Sequence, residues 1–312
     1  MHIALSLPEE DAPTWMPLFA AALPEATLGR HEPDRAADPG ARRADYAVAA
    51  YPSKTFFTEQ PSPKAIFTVS AGVGHVLRMP GVPGGVPIVR VEDAGMSAQM
   101  VRYSLTAAMR FTQRLDTYRR QQQDRVWRQH SPRAPAQVSA GVMGLGVIGA
   151  AIVRCLAAQG FRTRGYSRSA KAIEGVACFA GDELCAFLDG LDIVVNALPS
   201  TAQTSKLLNR EALSRLADGA HVVNIGRGSV LDDDDLLALI ESGKIGGATL
   251  DVFHEEPLPP SHSFWSRPEI TVTPHVAGLT IPDETVMQVA AKIRALERGE
   301  AVTGVVDRER GY

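Results

Sequence analysis

The chain has 312 residues, of which 45% are apolar and 21% charged, with a formal net charge of -3. That length accommodates two domains with separate cores, and the composition is globular rather than disordered. No basic excess invites nucleic acid or an acidic membrane surface, and no stretch approaches the roughly 18 uncharged apolar residues of a spanning helix. Cys155, Cys178 and Cys185 lack the spacing of a metal-ligand set. They read as small thiols in a reducing compartment, with neither disulfide nor metal expected. The opening Met1-His2-Ile3-Ala4-Leu5-Ser6-Leu7 has no basic segment before a long apolar run, so it reads as a strand rather than a signal peptide, and a cytoplasmic location is expected.

In the first hundred residues, short apolar runs at 3–7, 46–50, 65–69 and 88–91 alternate with turn-rich segments punctuated by Pro61, Pro63, Pro80, Pro83 and Pro87. The alternation predicts a small parallel α/β unit. From Ser97 a long helix is expected, with Val101, Leu105, Ala108, Thr112 and Leu115 on one face. The polar run 119–124 and the segment 129–137, with Pro132 and Pro135, read as an exposed connection. A second unit follows as strand 137–143, glycine-rich turn 144–149, helix 150–159 and strand 161–166, with further strands at 193–197, 221–225, 247–250 and 270–272. This pattern is a doubly wound parallel sheet. A last helix opens at Pro282, carries Val286, Val289, Ala290, Ile293 and Leu296 on one face, and stops before Gly299. Pattern alone does not place the tail at 302–312.

Gly144-Leu145-Gly146-Val147-Ile148-Gly149 stands directly between the strand and the helix of the second unit. In that setting the first glycine makes a tight turn, the second admits a pyrophosphate to the backbone, and the third lets helix pack on strand. The helix N-terminus adds free N–H groups and partial positive charge. The alternative is a glycine-rich turn that merely packs well. The next strand ends in Gly165-Tyr166-Ser167-Arg168-Ser169, with Lys171 close by. No carboxylate is present there to take a ribose 2′-hydroxyl, whereas Ser167, Ser169, Arg168 and Lys171 suit a 2′-phosphate. NADPH is therefore expected over NADH, against the alternative of a solvated basic turn.

Three later strand ends each display one chemically useful side chain: Arg227 in Asn224-Ile225-Gly226-Arg227-Gly228, Glu256 in Asp251-Val252-Phe253-His254-Glu255-Glu256-Pro257-Leu258, and His275 in Thr273-Pro274-His275. Carboxyl ends of strands in a doubly wound sheet face the ligand crevice, so the three are expected to converge. Each has a plainer reading: a turn charge for Arg227, a solvated acid for Glu256, a hydrogen-bonded core histidine for His275.

These segments together resemble the D-isomer-specific 2-hydroxyacid dehydrogenases over nearly the whole chain. Within that family the sequence is similar to the glyoxylate/hydroxypyruvate reductase A group, in Glu92-Asp93-Ala94-Gly95-Met96, in Ser167-Arg168 and in the ending Val306-Asp307-Arg308-Glu309-Arg310-Gly311-Tyr312. The resemblance implies a Rossmann cofactor domain at 98–282, inserted in a flavodoxin-like substrate domain formed by 1–97 and 283–312, and a homodimer. It implies NADPH-dependent reduction of small 2-oxo acids, glyoxylate to glycolate or hydroxypyruvate to D-glycerate. Arg227 would grip and polarise the substrate, His275 would donate the proton, and Glu256 would orient the imidazole.

Further expectations come with it. Backbone amides of Ala71, Gly72 and Val73 would hold the substrate carboxylate, in a loop where Gly74 replaces an aspartate common among relatives. Trp127 would approach the active site of the partner subunit, and Tyr51, Met96 and Trp127 are candidates for an apolar wall. Gly144, Gly146, Val147, Ile148, Gly149, Pro199, Ser200, Thr204, Ile225, Gly226, Asp251 and Gly278 would border the cofactor. Asp251 would contact the nicotinamide amide, with a strand-end structural acid as its rival reading. Two alternatives in function stand beside this one: a phenylpyruvate-type substrate, and a nucleotide-sensing binding protein like the corepressors of this fold.

Overall fold

A computed structural model describes residues 1–31, 42–50, 52–70, 72–309 and 311. Tyr51, Ala71, Arg310 and Tyr312, singled out above, lie outside the described residues. The chain divides into two compact units, one made of 1–95 and 280–312, the other of 96–279.

The first unit holds five parallel strands: β1 (His2–Ser6), β2 (Thr27–His31), β3 (Tyr46–Ala49), β4 (Ala65–Thr68) and β5 (Ile88–Val89), in the order β2-β1-β3-β4-β5. That is the flavodoxin-like order. β1, β3 and β4 are buried throughout, which is why they read as unbroken apolar runs. Alternate residues serve opposite faces. Ile3, Leu5, Tyr46 and Phe67 pack with Phe19 of helix Ala12–Ala22 and with Val289 and Ile293 of helix Pro282–Glu297. Ala4, Ala47 and Ile66 pack with Phe56, Phe57 and Val76. The C-terminal tail, which pattern left unplaced, covers the sheet's short edge. Val305 pairs antiparallel with Val89, Val306 N–H donates to the Ile88 carbonyl at 2.8 Å, and Arg308 reaches the carbonyls of Pro83 and Val86 at 2.7 and 2.6 Å.

The second unit opens with helices Met96–Thr112 and Leu115–Gln123. Seven parallel strands follow: β6 (Ser139–Met143), β7 (Arg162–Ser167), β8 (Ala177–Ala180), β9 (Ile193–Asn196), β10 (Ala220–Asn224), β11 (Ile245–Leu250) and β12 (Ile270–Val272). Their order is β12-β11-β10-β9-β6-β7-β8, so the winding reverses between β6 and β9, and the crevice at that reversal is where such sheets bind ligands.

Three features depart from the pattern reading, the first being that the long helix ends at Thr112, so Leu115, expected on its apolar face, opens the next helix and is 49% exposed. Residues 119–123 of the polar run expected to be a connection belong to the helix Leu115–Gln123. None of that helix's residues is buried, so it carries no apolar stripe to announce itself. β2 and β8 were not anticipated. Both are edge strands with little buried surface, and so lack the apolar run that marks a central strand.

Candidate active site

The glycine-rich turn between β6 and helix Val147–Ala158 divides its labour by position. Gly144 has φ +95°, and a Cβ there would lie 2.9 Å from the Ala197 carbonyl oxygen. At Gly149 a Cβ would fall 1.8 Å from the Gly144 oxygen, so only hydrogen lets the helix sit this close. At Gly146 a Cβ would meet nothing within 4 Å. The backbone is thus bare toward open space at the residue that caps a 12-residue helix, the cradle a pyrophosphate needs. Val147 beside it is 64% exposed and Ile148 packs against the core.

β7 ends on Ser167, which is buried and donates its hydroxyl to the Ser169 carbonyl at 2.8 Å, closing the turn. Arg168, Ser169 and Lys171 are exposed beyond it. The donor set fits a nucleotide carrying a 2′-phosphate, since two cations and a hydroxyl stand there and no carboxylate lies between 162 and 173.

On the other side of the reversal, two buried amides shape the loops. Asn196 ends β9 and Asn224 ends β10, both with no exposure. Asn196 Nδ2 donates to Asn224 Oδ1 at 2.8 Å, and Asn196 Oδ1 accepts the Leu198 N–H at 3.1 Å. Asn224 Oδ1 also accepts the Gly226 N–H at 3.3 Å, while its Nδ2 donates to the Arg227 carbonyl at 3.2 Å. The loops bearing Pro199 and Arg227 are therefore bound to each other through their own strand ends. Asn196 escaped the sequence reading, although the repeated Val-Val-Asn at 194–196 and 222–224 is a signal that would have found it. Pro199 is half-buried, Ser200 is exposed and bonded to Ser229 at 2.8 Å, and Thr204 donates to the Pro199 carbonyl at 2.7 Å. Ile225 and Gly226 are buried.

Arg227, Glu256 and His275 follow the neighbouring strands β10, β11 and β12 at one edge of the sheet. Arg227 is half-buried, and its Nη1 donates to the Gly226 carbonyl at 2.6 Å. A Cβ at Gly228 would lie 1.9 Å from the Phe253 carbonyl carbon, so the Arg227 loop rests directly on the backbone that leads to Glu256. Glu256 Oε2 stands 2.7 Å from His275 Nδ1, and Glu256 Oε1 accepts the Phe253 N–H at 2.9 Å. One carboxylate oxygen thus fixes the acid and the other fixes the ring, which leaves His275 Nε2 as the nitrogen not facing Glu256. Both side chains remain accessible, at 36% and 48%.

Asp251 is 1% exposed. Its carboxylate accepts from the Thr273 hydroxyl at 2.6 Å and from the N–H groups of Val276 and Ala277 at 2.8 and 2.9 Å. These are the contacts of a strand-end acid that organises the His275 turn. Tyr103 reaches the same Thr273 hydroxyl at 2.6 Å, and burial pushes its phenol above the ordinary tyrosine range. Neither Tyr103 nor Thr273 was singled out from the sequence as a site residue, because a helical tyrosine and a threonine before proline carry no motif of their own. Gly278 lets the chain pass Met100, whose Cγ would lie 2.8 Å from a Cβ.

Of the residues expected to touch substrate, Gly72 and Val73 lie in the first unit, where the Ser70 hydroxyl bonds the Gly72 carbonyl at 2.8 Å and the Val73 side chain is buried. Trp127 is 97% exposed, whereas Met96 is buried. Among the described residues no group of three or more His, Cys, Asp or Glu side chains is placed to hold a metal ion.

Residues 105–277 match the family model described as D-isomer specific 2-hydroxyacid dehydrogenase, NAD binding domain. The chain belongs to the D-isomer-specific 2-hydroxyacid dehydrogenase family. It is 40% identical, over the full length of both chains, to a glyoxylate/hydroxypyruvate reductase A of Serratia proteamaculans. Among solved structures it resembles a D-isomer specific 2-hydroxyacid dehydrogenase from Xanthobacter autotrophicus in complex with NADPH and MES, with TM-score 0.93, 37% identity, and 100% and 99% of the two chains covered. It also resembles the NADPH-dependent glyoxylate/hydroxypyruvate reductase of Sinorhizobium meliloti in complex with NADP and sulfate, with TM-score 0.89, 33% identity, and the same coverage. The matched span contains the glycine-rich turn and the β6/β9 reversal.

Proposed function

We propose that this dehydrogenase reduces small 2-oxo acids with NADPH, glyoxylate to glycolate and hydroxypyruvate to D-glycerate. The observation that carries the reading is the 2.7 Å contact between Glu256 and His275, at the sheet edge that also bears Arg227. The names of the full-length relatives choose the acids, and the cations after β7 choose the cofactor.

Bound NADPH supplies the hydride that the carbonyl carbon accepts. The residues of the chain do the rest. Arg227 presents a planar fork of donors that grips the substrate carboxylate and draws charge onto the carbonyl oxygen. His275 holds a proton on Nε2 and delivers it to that oxygen as negative charge develops. Glu256 keeps the ring turned correctly through Nδ1, with Nε2 directed away from the carboxylate. Arg168, Ser169 and Lys171 bind the 2′-phosphate, and the amides at Gly146 and Val147 the pyrophosphate. A homodimer belongs to the same reading, in which the partner would cover the exposed indole of Trp127, and so does a cytoplasmic location. A sedimentation experiment that returned a monomer at micromolar concentration would remove the dimer from it.

Arg227→Ala and His275→Ala are each expected to lower kcat/KM for glyoxylate with NADPH by at least about 10²-fold. Turnover at the wild-type rate in both variants would refute the assignment. Arg168→Ala is expected to raise the Kd for NADPH roughly tenfold while leaving that for NADH in place. A wild-type enzyme that binds NADH more tightly than NADPH would overturn the cofactor assignment, and a panel of 2-oxo acids scored by kcat/KM would expose a phenylpyruvate-type preference.

A further inference from the structure

The turn that carries His275 is not held by the sheet alone. His275 has φ +55°, a left-handed backbone that residues with a side chain adopt uncommonly. Three bonds from the Asp251 carboxylate hold it: one to the Thr273 hydroxyl and one each to the N–H groups of Val276 and Ala277. A fourth runs from the His275 N–H to the Asp251 carbonyl at 2.9 Å. Thr273 precedes the histidine by two residues and the other two donors follow it, so the carboxylate grips the turn on both sides.

The direction of the chain of hydroxyls follows from proton counting. The Thr273 hydroxyl has a single proton and donates it to Asp251 Oδ1 at 2.6 Å. The 2.6 Å contact between Tyr103 and Thr273 is therefore made by the phenol proton. Tyr103 sits in helix Met96–Thr112, and the same helix is laced to the turn's far end. Gln99 donates through Nε2 to the Leu279 carbonyl at 2.9 Å and accepts the Leu279 N–H at 3.3 Å, and Met100 fills the space left by Gly278.

We propose that Tyr103, Thr273 and Asp251 form a positioning relay, in which helix Met96–Thr112 splints the His275 turn and so sets the direction of the imidazole. The proposal rests on the reading of His275 as the proton donor. None of the three need touch substrate for the relay to act. Their effect is on the geometry of proton delivery, where a displacement of about 1 Å costs up to roughly 100-fold in rate.

The test compares Tyr103→Phe, Thr273→Val and Thr273→Ser, with His275→Ala as reference, in the full-length protein. Melting temperature, Kd for NADPH, and kcat and KM for glyoxylate are measured for each. Tyr103→Phe and Thr273→Val are expected to bind NADPH within about twofold of wild type, to leave KM nearly unchanged, and to lose roughly 10- to 100-fold in kcat. Thr273→Ser, which keeps the hydroxyl, is expected to recover most of kcat. A purely structural role would lower the melting temperature and leave kcat per folded molecule intact. That result, or a Thr273→Ser variant as slow as Thr273→Val, would overturn the relay while leaving His275 in place. Wild-type turnover in His275→Ala would defeat the relay together with the reading beneath it. Should Thr273→Val fail to fold, Tyr103→Phe carries the test, since it removes only the hydroxyl from an otherwise unchanged ring.

Discussion

Gly146 and Gly149 are three residues apart in one turn, and substitution should separate binding from folding at these two positions. Gly149 faces backbone 1.8 Å from where a Cβ would be, and backbone cannot move aside as a flexible side chain can. Gly149→Ala is expected to cost about 2 kcal/mol or more, visible as a lower denaturation midpoint. Gly146 faces open space with an ordinary negative φ of -74°, so Gly146→Val should fold with a near-wild-type midpoint. Its isopropyl group would fill the pyrophosphate approach, and the Kd for NADPH should rise at least tenfold. Equal loss of stability in both variants would contradict this division. The motif itself was legible because each glycine answers a separate steric demand. The bonds of Asp251 were not, since a strand-end acid looks the same in sequence whether it faces a ligand or three donors of its own turn.

At the scale of elements, legibility followed burial. β1, β3, β4, β6, β9 and β10 are buried along their length, both faces covered, and so are mainly apolar, with isolated polar residues such as His221 and Asn224. β2 and β8, at sheet edges, and the exposed helix Leu115–Gln123 are held by contacts that leave no periodic trace. For that helix the contacts include the Arg110–Asp116 ion pair and a Tyr118 hydroxyl that donates to the His130 carbonyl at 2.9 Å. Arg164 is a comparable case. Its Nη1 reaches the carbonyls of Ala186, Phe187 and Asp189 at 3.3, 3.0 and 2.8 Å, closing the end of helix Leu184–Leu188. Nothing in a strand pattern announces that the charge of this arginine is spent on a helix terminus. Arg164→Met keeps the aliphatic stem and removes the cap, and is expected to cost about 1–2 kcal/mol in equilibrium denaturation with no change in KM. An unaltered midpoint would show that water replaces the guanidinium at no cost.

For the molecule as a whole, the same burial that makes β10 readable also makes its stability depend on acid. His221 lies inside the sheet, with Nε2 2.9 Å from the Thr249 hydroxyl of β11. Burial, opposed by Asp116 and reinforced by Arg110, pulls its imidazole down to about 4 from an ordinary value of 6.5. Between those values the unfolded chain binds a proton that the folded chain refuses, so unfolding gains protons and stability falls as pH drops from 6.5 toward 4. The slope for one such group approaches about 1 kcal/mol per pH unit. Carboxylates held below their usual range, such as Asp232 beside Lys206 and Glu297 beside Lys64, lose their contribution only as pH falls below their unfolded values of 3.8 and 4.5. The interval from 6.5 to 4.5 therefore belongs mainly to the histidine. His221→Gln retains an amide for the Thr249 hydroxyl and has nothing to titrate. Denaturation midpoints of wild type and variant, followed from pH 7 to 4.5, should diverge, with the wild type falling more steeply. Parallel curves would mean that the imidazole accepts its proton inside the fold and that β10 opens to water more readily than its packing implies.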